Sequence, residues 1–443
     1  MLPAKVVRSG FLMALPALLA AQSGRSPEEV GRKALDLLLA EKYPELTGMF
    51  SDNFKQTVTL AFLQQRVSAE LKEFGKPQNI GKAVFGTDGP NSLVSFPVQF
   101  SNTSIHVQFT LNQSRQIAGI FFRPPDKPLP YTWKRPPYSK PESFHDRDVT
   151  VGADMWKLGG TLTAPAAKGK VPGIVLVHGP GPNDRDESLF ATRIFEDLAE
   201  GLASRGYAVL RYEKRTKTYG DELSGMDYTI EDETVEDAVR AVALMRKQPE
   251  VDPARVFVLG HSLGGYASPR IAARDRKLAG LIVMAGPARP IEEVAFEQTD
   301  YVLHLKGEPS ANEVARLNQL KAEVEKVKAL SPKGNNPEAL MGLPIAWWLD
   351  LKGYDATAEA KRLGLPMLVL QGERDFQVTM KDFARWKSGI GPRANVTFHS
   401  YPSLNALFIK GEGKGSPAEY HNPGNVAPEV IEDMAAWLDS QKH

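Results

Sequence analysis

At 443 residues the chain is too long for one ordinary hydrophobic core, so two domains, or one large domain with an appendage, are expected. Its 54 Lys and Arg nearly cancel 53 Asp and Glu, for a formal charge of +1, which argues against a nucleic-acid partner and leaves specificity to a local pocket. Cysteine is absent, which excludes disulfides, thiolate metal sites, a cysteine nucleophile and lipid attachment at an N-terminal cysteine; the eight histidines show no H-E-x-x-H or similar ligand spacing, so neither metal nor cofactor is expected.

The chain opens MLPAKVVRSGFLMALPALLAAQSG, with Lys5 and Arg8 ahead of an apolar run from Phe11 to Ala21 that closes in small residues. This is the layout of a signal peptide over residues 1–21, and it predicts export, periplasmic or secreted, with no stable membrane anchor because the run is too short to span a bilayer. From Ser26 a Ser-Pro-Glu-Glu start and the spacing of Val30, Ala34, Leu37 and Leu38 predict an amphipathic helix. A second helical stretch, TLAFLQQRVSAELKEFG, follows. NIGKAVFGT, SLVSFPVQFS, TSIHVQFTLN and QIAGIFFRP then read as strands separated by the turn signals DGPN, SNTS and NQSR. Helices followed by an antiparallel meander predict a small α+β domain over 25–123. The proline-dense PPDKPLPYTWKRPPYSKP predicts a linker over 124–141.

Beyond 142, the short apolar runs GIVLVHG, YAVLRYE, RVFVLGH, GLIVMAG, PMLVLQG and NVTFHSY alternate with helical patterns such as TVEDAVRAVALMRKQ. That texture predicts an α/β domain, a mostly parallel sheet flanked by helices, with chemistry at the carboxyl ends of its strands. The stretch RVFVLGHSLGGYASPRIAARD places Gly260, Ser262 and Gly264 as G-x-S-x-G between a buried strand and a helix, a nucleophile elbow presenting the Ser262 hydroxyl. Upstream, GIVLVHGPGPNDRDES falls where hydrolases of this fold supply one oxyanion-hole donor. Pro180 and Pro182 have no N–H, so Gly179 or Gly181 is expected to donate alongside Leu263, with Asp184, Arg185 and Asp186 holding the loop. An insertion at about 286–360 reads as a helical cap, in which Trp347, Trp348 and Tyr354 are expected either to line the substrate pocket or to fasten the lid. In PMLVLQGERDFQVT, Asp375 follows a strand as the acid that would orient a base, with Glu373 as its rival.

Taken together, the GHSLGG elbow, the HGPGPNDRDE loop, the GERDFQV segment and the tail LNALF…GSPAEY…VAPEVIEDMAAWL resemble the secreted bacterial α/β-hydrolases that carry a small N-terminal domain, relatives of dienelactone hydrolases and of the prolyl oligopeptidase catalytic domain. The resemblance covers residues 142–443. More loosely, the first domain is similar to the nuclear-transport-factor-like domain that precedes the hydrolase in such proteins. The resemblance implies a serine carboxylesterase acting on short-chain acyl esters of small molecules. It also implies a histidine base in the tail segment, at the position occupied here by Ala406. His421 in SPAEYHNPGN is the substitute the sequence offers, while His399, His178 and His261 sit in motifs that read as structural. Four readings follow: an esterase disarmed at 406, an active enzyme using His421, a non-catalytic binding protein with a hydrolase fold, and an exported serine peptidase. The last would need paired acids for a peptide amine, and the sequence displays no such pair.

Overall fold

The computed structural model describes residues 26–441 apart from 89–90, 124–132, 154, 167–168, 190–191, 224–225, 306, 335 and 338; the expected signal segment lies outside the described residues. The chain forms two compact units, residues up to 132 and residues from 133 onward.

In the first unit, helix α1 (Pro27–Leu39) starts at a reciprocal cap: the Ser26 hydroxyl accepts from Glu29 N, and the Glu29 carboxylate accepts from Ser26 N. It buries Val30, Ala34, Leu35 and Leu38. Strand β3 (Asn91–Phe100) pairs antiparallel with β1 (Pro77–Ile80), β2 (Val84–Asp88) and β4 (Ser104–Leu111), and β4 pairs with β5 (Ile117–Arg123). Alternate strand residues such as Phe96, Val107 and Phe109 meet the helical residues Leu35 and Leu38 in one core.

In the second unit, eight strands form one sheet. They are β6 (Phe144–Val151), β7 (Leu158–Pro165), β8 (Val171–Val177), β9 (Ala208–Tyr212), β10 (Val251–His261), β11 (Gly280–Met284), β12 (Met367–Gly372) and β13 (Val396–Tyr401), in the order β13-β12-β11-β10-β8-β9-β7-β6. All neighbours from β13 to β9 run parallel; β7 and β6 join antiparallel. The pleat sends successive side chains to opposite faces. Ile174, Leu176, Phe257 and Leu259 enter a core with helices α2 (Ile194–Ala203) and α10 (Pro428–Ser440), while Val175, Val177, Val256 and Val258 enter another with α3 (Glu236–Arg246) and α4 (Leu263–Arg274). Two covered faces explain why these strands read as unbroken apolar runs. This is the α/β-hydrolase fold.

Two boundaries differ from the sequence expectation. Residues 133–141 are not free linker: Trp133 Nε1 donates to Asp197 at 2.9 Å, Arg135 forks onto Glu200 at 2.8 and 2.9 Å, Ser139 donates to Glu200 at 2.6 Å, and the Tyr138 hydroxyl donates to the Val426 carbonyl at 2.8 Å. Proline density reports the lack of secondary structure, not the lack of partners. The insertion after β11 comprises α5 (Ile291–His304), α6 (Ala311–Ala329) and α7 (Ile345–Leu351), whereas α8 (Ala356–Leu363) packs on α4 and on α9 (Met380–Ile390) as part of the domain body.

Candidate active site

Ser262 joins β10 to α4 at φ 50° and ψ −117°, a conformation rarely adopted by residues with a side chain. Close packing fixes the glycines around it. A Cβ at Gly260 would lie 2.2 Å from the Gly264 carbonyl oxygen, and one at Gly264 would lie 2.1 Å from the Val177 carbonyl oxygen. Ser262 N donates to the Met284 carbonyl at 2.9 Å and its own carbonyl accepts from Tyr266 N at 3.1 Å, so the turn is held from both sides. The Ser262 hydroxyl meets no acceptor among the described residues. Leu263 is the first residue of α4, where an amide lacks an intrahelical acceptor and the helix end carries partial positive charge.

The loop after β8 is fastened by its charges. Asp184 accepts from Asp186 N and Ser188 N, Asp186 pairs with Arg211, and Arg185 binds Glu213 and Thr161, each at 2.8 Å. Buried Lys214 donates to the Gly179 carbonyl at 2.9 Å. Gly179, expected as an oxyanion donor, instead gives its N–H to Glu187 Oε1 at 2.6 Å. Gly181, at φ 89°, offers only its carbonyl to Asn183 N and Thr216, and its N–H meets no acceptor among the described residues. Of the two glycines, Gly181 also lines the cavity above Ser262.

Asp375 is buried behind the elbow. Its Oδ1 accepts from Gln377 N at 2.7 Å and Val378 N at 3.0 Å, and Oδ2 accepts from Gln371 at 3.1 Å. Burial pushes its carboxyl up to about 7 against these hydrogen bonds and the nearby charge of His261. The rival Glu373 accepts from the Ser400 hydroxyl at 2.8 Å in an exposed contact. Ala406 is buried in a tight loop whose Asn405 side chain accepts from Leu407 N and Ile409 N. Its carbonyl accepts from His261 Nε2 at 3.0 Å, and His261 Nδ1 donates to Glu187 Oε2 at 3.0 Å. The carbonyl accepts, and an ionised Glu187 accepts as well, so with Glu187 charged both ring nitrogens donate and His261 has no lone pair with which to act as a base.

None of the other described histidines is among the residues that line the cavity over Ser262. His178 is buried edge-to-face on Tyr212, and burial drops its pKa to about 4, so it is neutral. His399 stacks on Tyr401 and pairs with Asp433 at 3.2 Å. His421 ends the short turn Pro417–His421, and its side chain lies outside the described residues.

A cavity of about 1130 Å³ opens over Ser262, floored by Gly181, Ser262 and Leu263 and walled by Trp347 and Trp348. The two indoles pack edge-to-face at 4.9 Å; Trp347 Nε1 donates to Glu233 at 3.0 Å and Trp348 Nε1 to the Leu340 carbonyl at 2.9 Å. Tyr354 is not on the cavity wall. Its hydroxyl donates to the Tyr266 carbonyl at 3.1 Å, and its ring packs edge-to-face on Tyr266, so it fastens the segment after α7 to α4. Glu187 went unremarked in the sequence because, inside NDRDES, nothing separates it from its solvent-facing neighbours.

A strained serine on a strand–turn–helix at the carboxyl edge of a parallel sheet, with free amides on either side, defines the class: an α/β-hydrolase with a serine nucleophile. Comparison with known proteins narrows this. The family profile described as "Serine aminopeptidase, S33" matches residues 190–405. Esterase EstD of Thermotoga maritima is 36% identical over 404 residues, covering 90% of this chain and 92% of that protein, and the polyketide transferase ATR5 of Stachybotrys chlorohalonatus is 30% identical over 144 residues, covering 31% and 46%. Among solved structures, the Pyrococcus furiosus esterase PF2001 aligns at TM-score 0.44 and 14% identity over 71% of this chain and 98% of that one; Est1E from Butyrivibrio proteoclasticus aligns at 0.43 and 18% over 66% and 98%. The chain belongs to the serine hydrolase family that includes esterase EstD.

Proposed function

We propose that this chain is a serine carboxylesterase for small-molecule esters, short acyl chains included, in which Ala406 stands where the general base belongs. The observation that carries the reading is the elbow: Ser262 is held in a strained turn with its hydroxyl free at the cavity floor, next to the uncommitted amides of Leu263 and Gly181. In the mechanism, Ser262 Oγ attacks the acyl carbonyl, its proton passes to a base, and the tetrahedral oxyanion accepts from Leu263 N–H and Gly181 N–H. Collapse expels the alcohol, and water then hydrolyses the acyl-enzyme. Asp375 would orient the base and stabilise its imidazolium. With alanine at 406 the proton has no acceptor there, and loss of the base in a comparable triad costs on the order of a millionfold in turnover.

The peptidase reading is weaker. Paired acids for a substrate amine are not in place: of the two described acids lining the cavity, Glu233 is engaged by Trp347 and by Lys214 at 3.6 Å, which leaves Asp227, itself accepting from Ala346 N at 3.3 Å, as a lone carboxylate. A binding role without turnover is favoured by one observation, that no described histidine lines the cavity. Export belongs to the proposal through the basic and apolar start of the chain. The direct test is covalent labelling with an alkyl fluorophosphonate. An adduct on Ser262 that forms rapidly in Ala406→His and never in Ser262→Ala is expected; an adduct on another residue would overturn the assignment.

A further inference from the structure

Glu187 and His261 take no part in the chemistry just described, yet their contacts run through three of the segments that build the site. His261 immediately precedes Ser262. Its Nδ1 donates to Glu187 Oε2 and its Nε2 donates to the Ala406 carbonyl, each at 3.0 Å, while the other oxygen of the same carboxylate takes Gly179 N–H at 2.6 Å. One buried chain of hydrogen bonds thus joins the oxyanion loop, the nucleophile elbow and the loop bearing position 406. We infer that Glu187 and His261 form a positioning pair, an ion pair that holds the oxyanion loop and the base-bearing loop in register with Ser262; this rests on the serine-hydrolase reading.

The argument begins with proton counting. A carboxylate and a carbonyl can only accept, so the ring between them is an imidazolium. Glu187, His261 and Ala406 are 7%, 6% and 4% exposed, and a charge so deep persists only when paired and hydrogen-bonded. Glu187 sits at φ 47°, a left-handed backbone that a glutamate holds only when its surroundings fix it. Geometry then gives the pair its leverage. A Cβ at Gly179 would lie 3.3 Å from Ser262 Cβ, so a small slip of this loop moves it against the nucleophile. By occupying the Gly179 amide, Glu187 also leaves Gly181 to serve the oxyanion.

Titration agrees with the geometry. Burial pulls His261 down, but the charge and hydrogen bond of Glu187, with help from the Ala406 carbonyl and Asp375, outweigh it and raise the pKa; Glu187 is disfavoured by burial and lowered by His261, His178 and Gly179 N–H. The groups facing the pair are therefore Asp375 and His178, with Lys214 and Asp184 acting on His178 in turn. The brace is therefore intact between the lowered Glu187 pKa and the raised His261 pKa: it is lost as pH falls through the first, when the carboxylate protonates, and as pH rises through the second, when the ring loses its charge.

The test uses the full chain. In the Ala406→His background, Glu187→Gln is expected to lower kcat on a short activated ester at least tenfold with KM changed less than twofold, and to move the alkaline fall of kcat to lower pH. Equal kcat with only a lower melting temperature would make the pair structural and overturn the inference. In the chain as it stands, nitrogen-15 NMR of the ring is expected to show both His261 nitrogens protonated at pH 7, and one unprotonated in Glu187→Gln. A neutral His261 ring at pH 7 overturns the pair whatever the turnover data show. If Ala406→His itself is silent, the hydrolase reading fails, which separates that failure from this one.

Discussion

Ser262 occupies a backbone conformation that costs about 1–3 kcal/mol and survives because Met284, Tyr266, Gly260 and Gly264 leave it no alternative. The packing predicts a graded response to adding one methyl group. Gly264→Ala and Gly260→Ala drive a Cβ to 2.1 and 2.2 Å from backbone carbonyl oxygens, so each is expected to lower unfolding stability by about 1–3 kcal/mol or more. Gly220→Ala meets nothing within 4 Å and is expected to be neutral; thermal unfolding of the three variants checks the order. At this scale the sequence was legible wherever the information was local. Ser262, Leu263 and Ala406 are singled out by short motifs, and the roles proposed for them rest on those motifs. Glu187 could not, because its partners Gly179 and His261 lie 8 and 74 positions away and only the folded loop brings them together. Tyr354 was legible only as a choice between pocket wall and lid fastener, and its hydroxyl on the Tyr266 carbonyl selects the fastener.

Among the elements, the turn after β12 and the helix α2 beneath the 133–139 strap carry buried acids with consequences for pH. The Asp375 carboxyl, ordinarily at 3.8, is pushed to about 7, so between those values the folded chain binds more protons than the unfolded one. Stability contributed by this group is therefore full below about pH 4 and lost as pH rises toward 7. Asp375→Asn is expected to flatten the fall of stability across that window, with a constant offset from the lost Gln371 contact; denaturant titrations from pH 4 to 8 measure both parts, and an unchanged slope would contradict the assignment. Asp197 is the second case. It accepts from Trp133, Asn425 and Val426 N, so Asp197→Ala is expected to orphan three donors at about 1–3 kcal/mol each and to expose the 133–139 strap to protease at neutral pH. The sequence announced these elements by periodicity. It could not announce the strap, since an irregular proline-rich segment has no period and its partners sit more than 60 positions away.

For the whole molecule, the unbroken apolar runs of β8 to β12 already implied a sheet covered on both faces, and the two cores sorted by alternate residues account for that reading. The cavity was legible only as an insertion after β11, because its volume depends on how α5, α7 and the segment before α7 fold back over Ser262. Among the described residues no helix is long and apolar enough to cross a membrane. On the proposed reading the site supplies a nucleophile, two oxyanion donors and an acid, while position 406 holds a methyl group. The most direct measurement is therefore turnover of a short-chain activated ester by three purified chains: the sequence as it stands, Ser262→Ala and Ala406→His. The account predicts negligible turnover by the first two and a gain of several orders of magnitude in Ala406→His. Ser262-dependent turnover by the unaltered sequence, with no gain on Ala406→His, would contradict it and send the search for the base to His421.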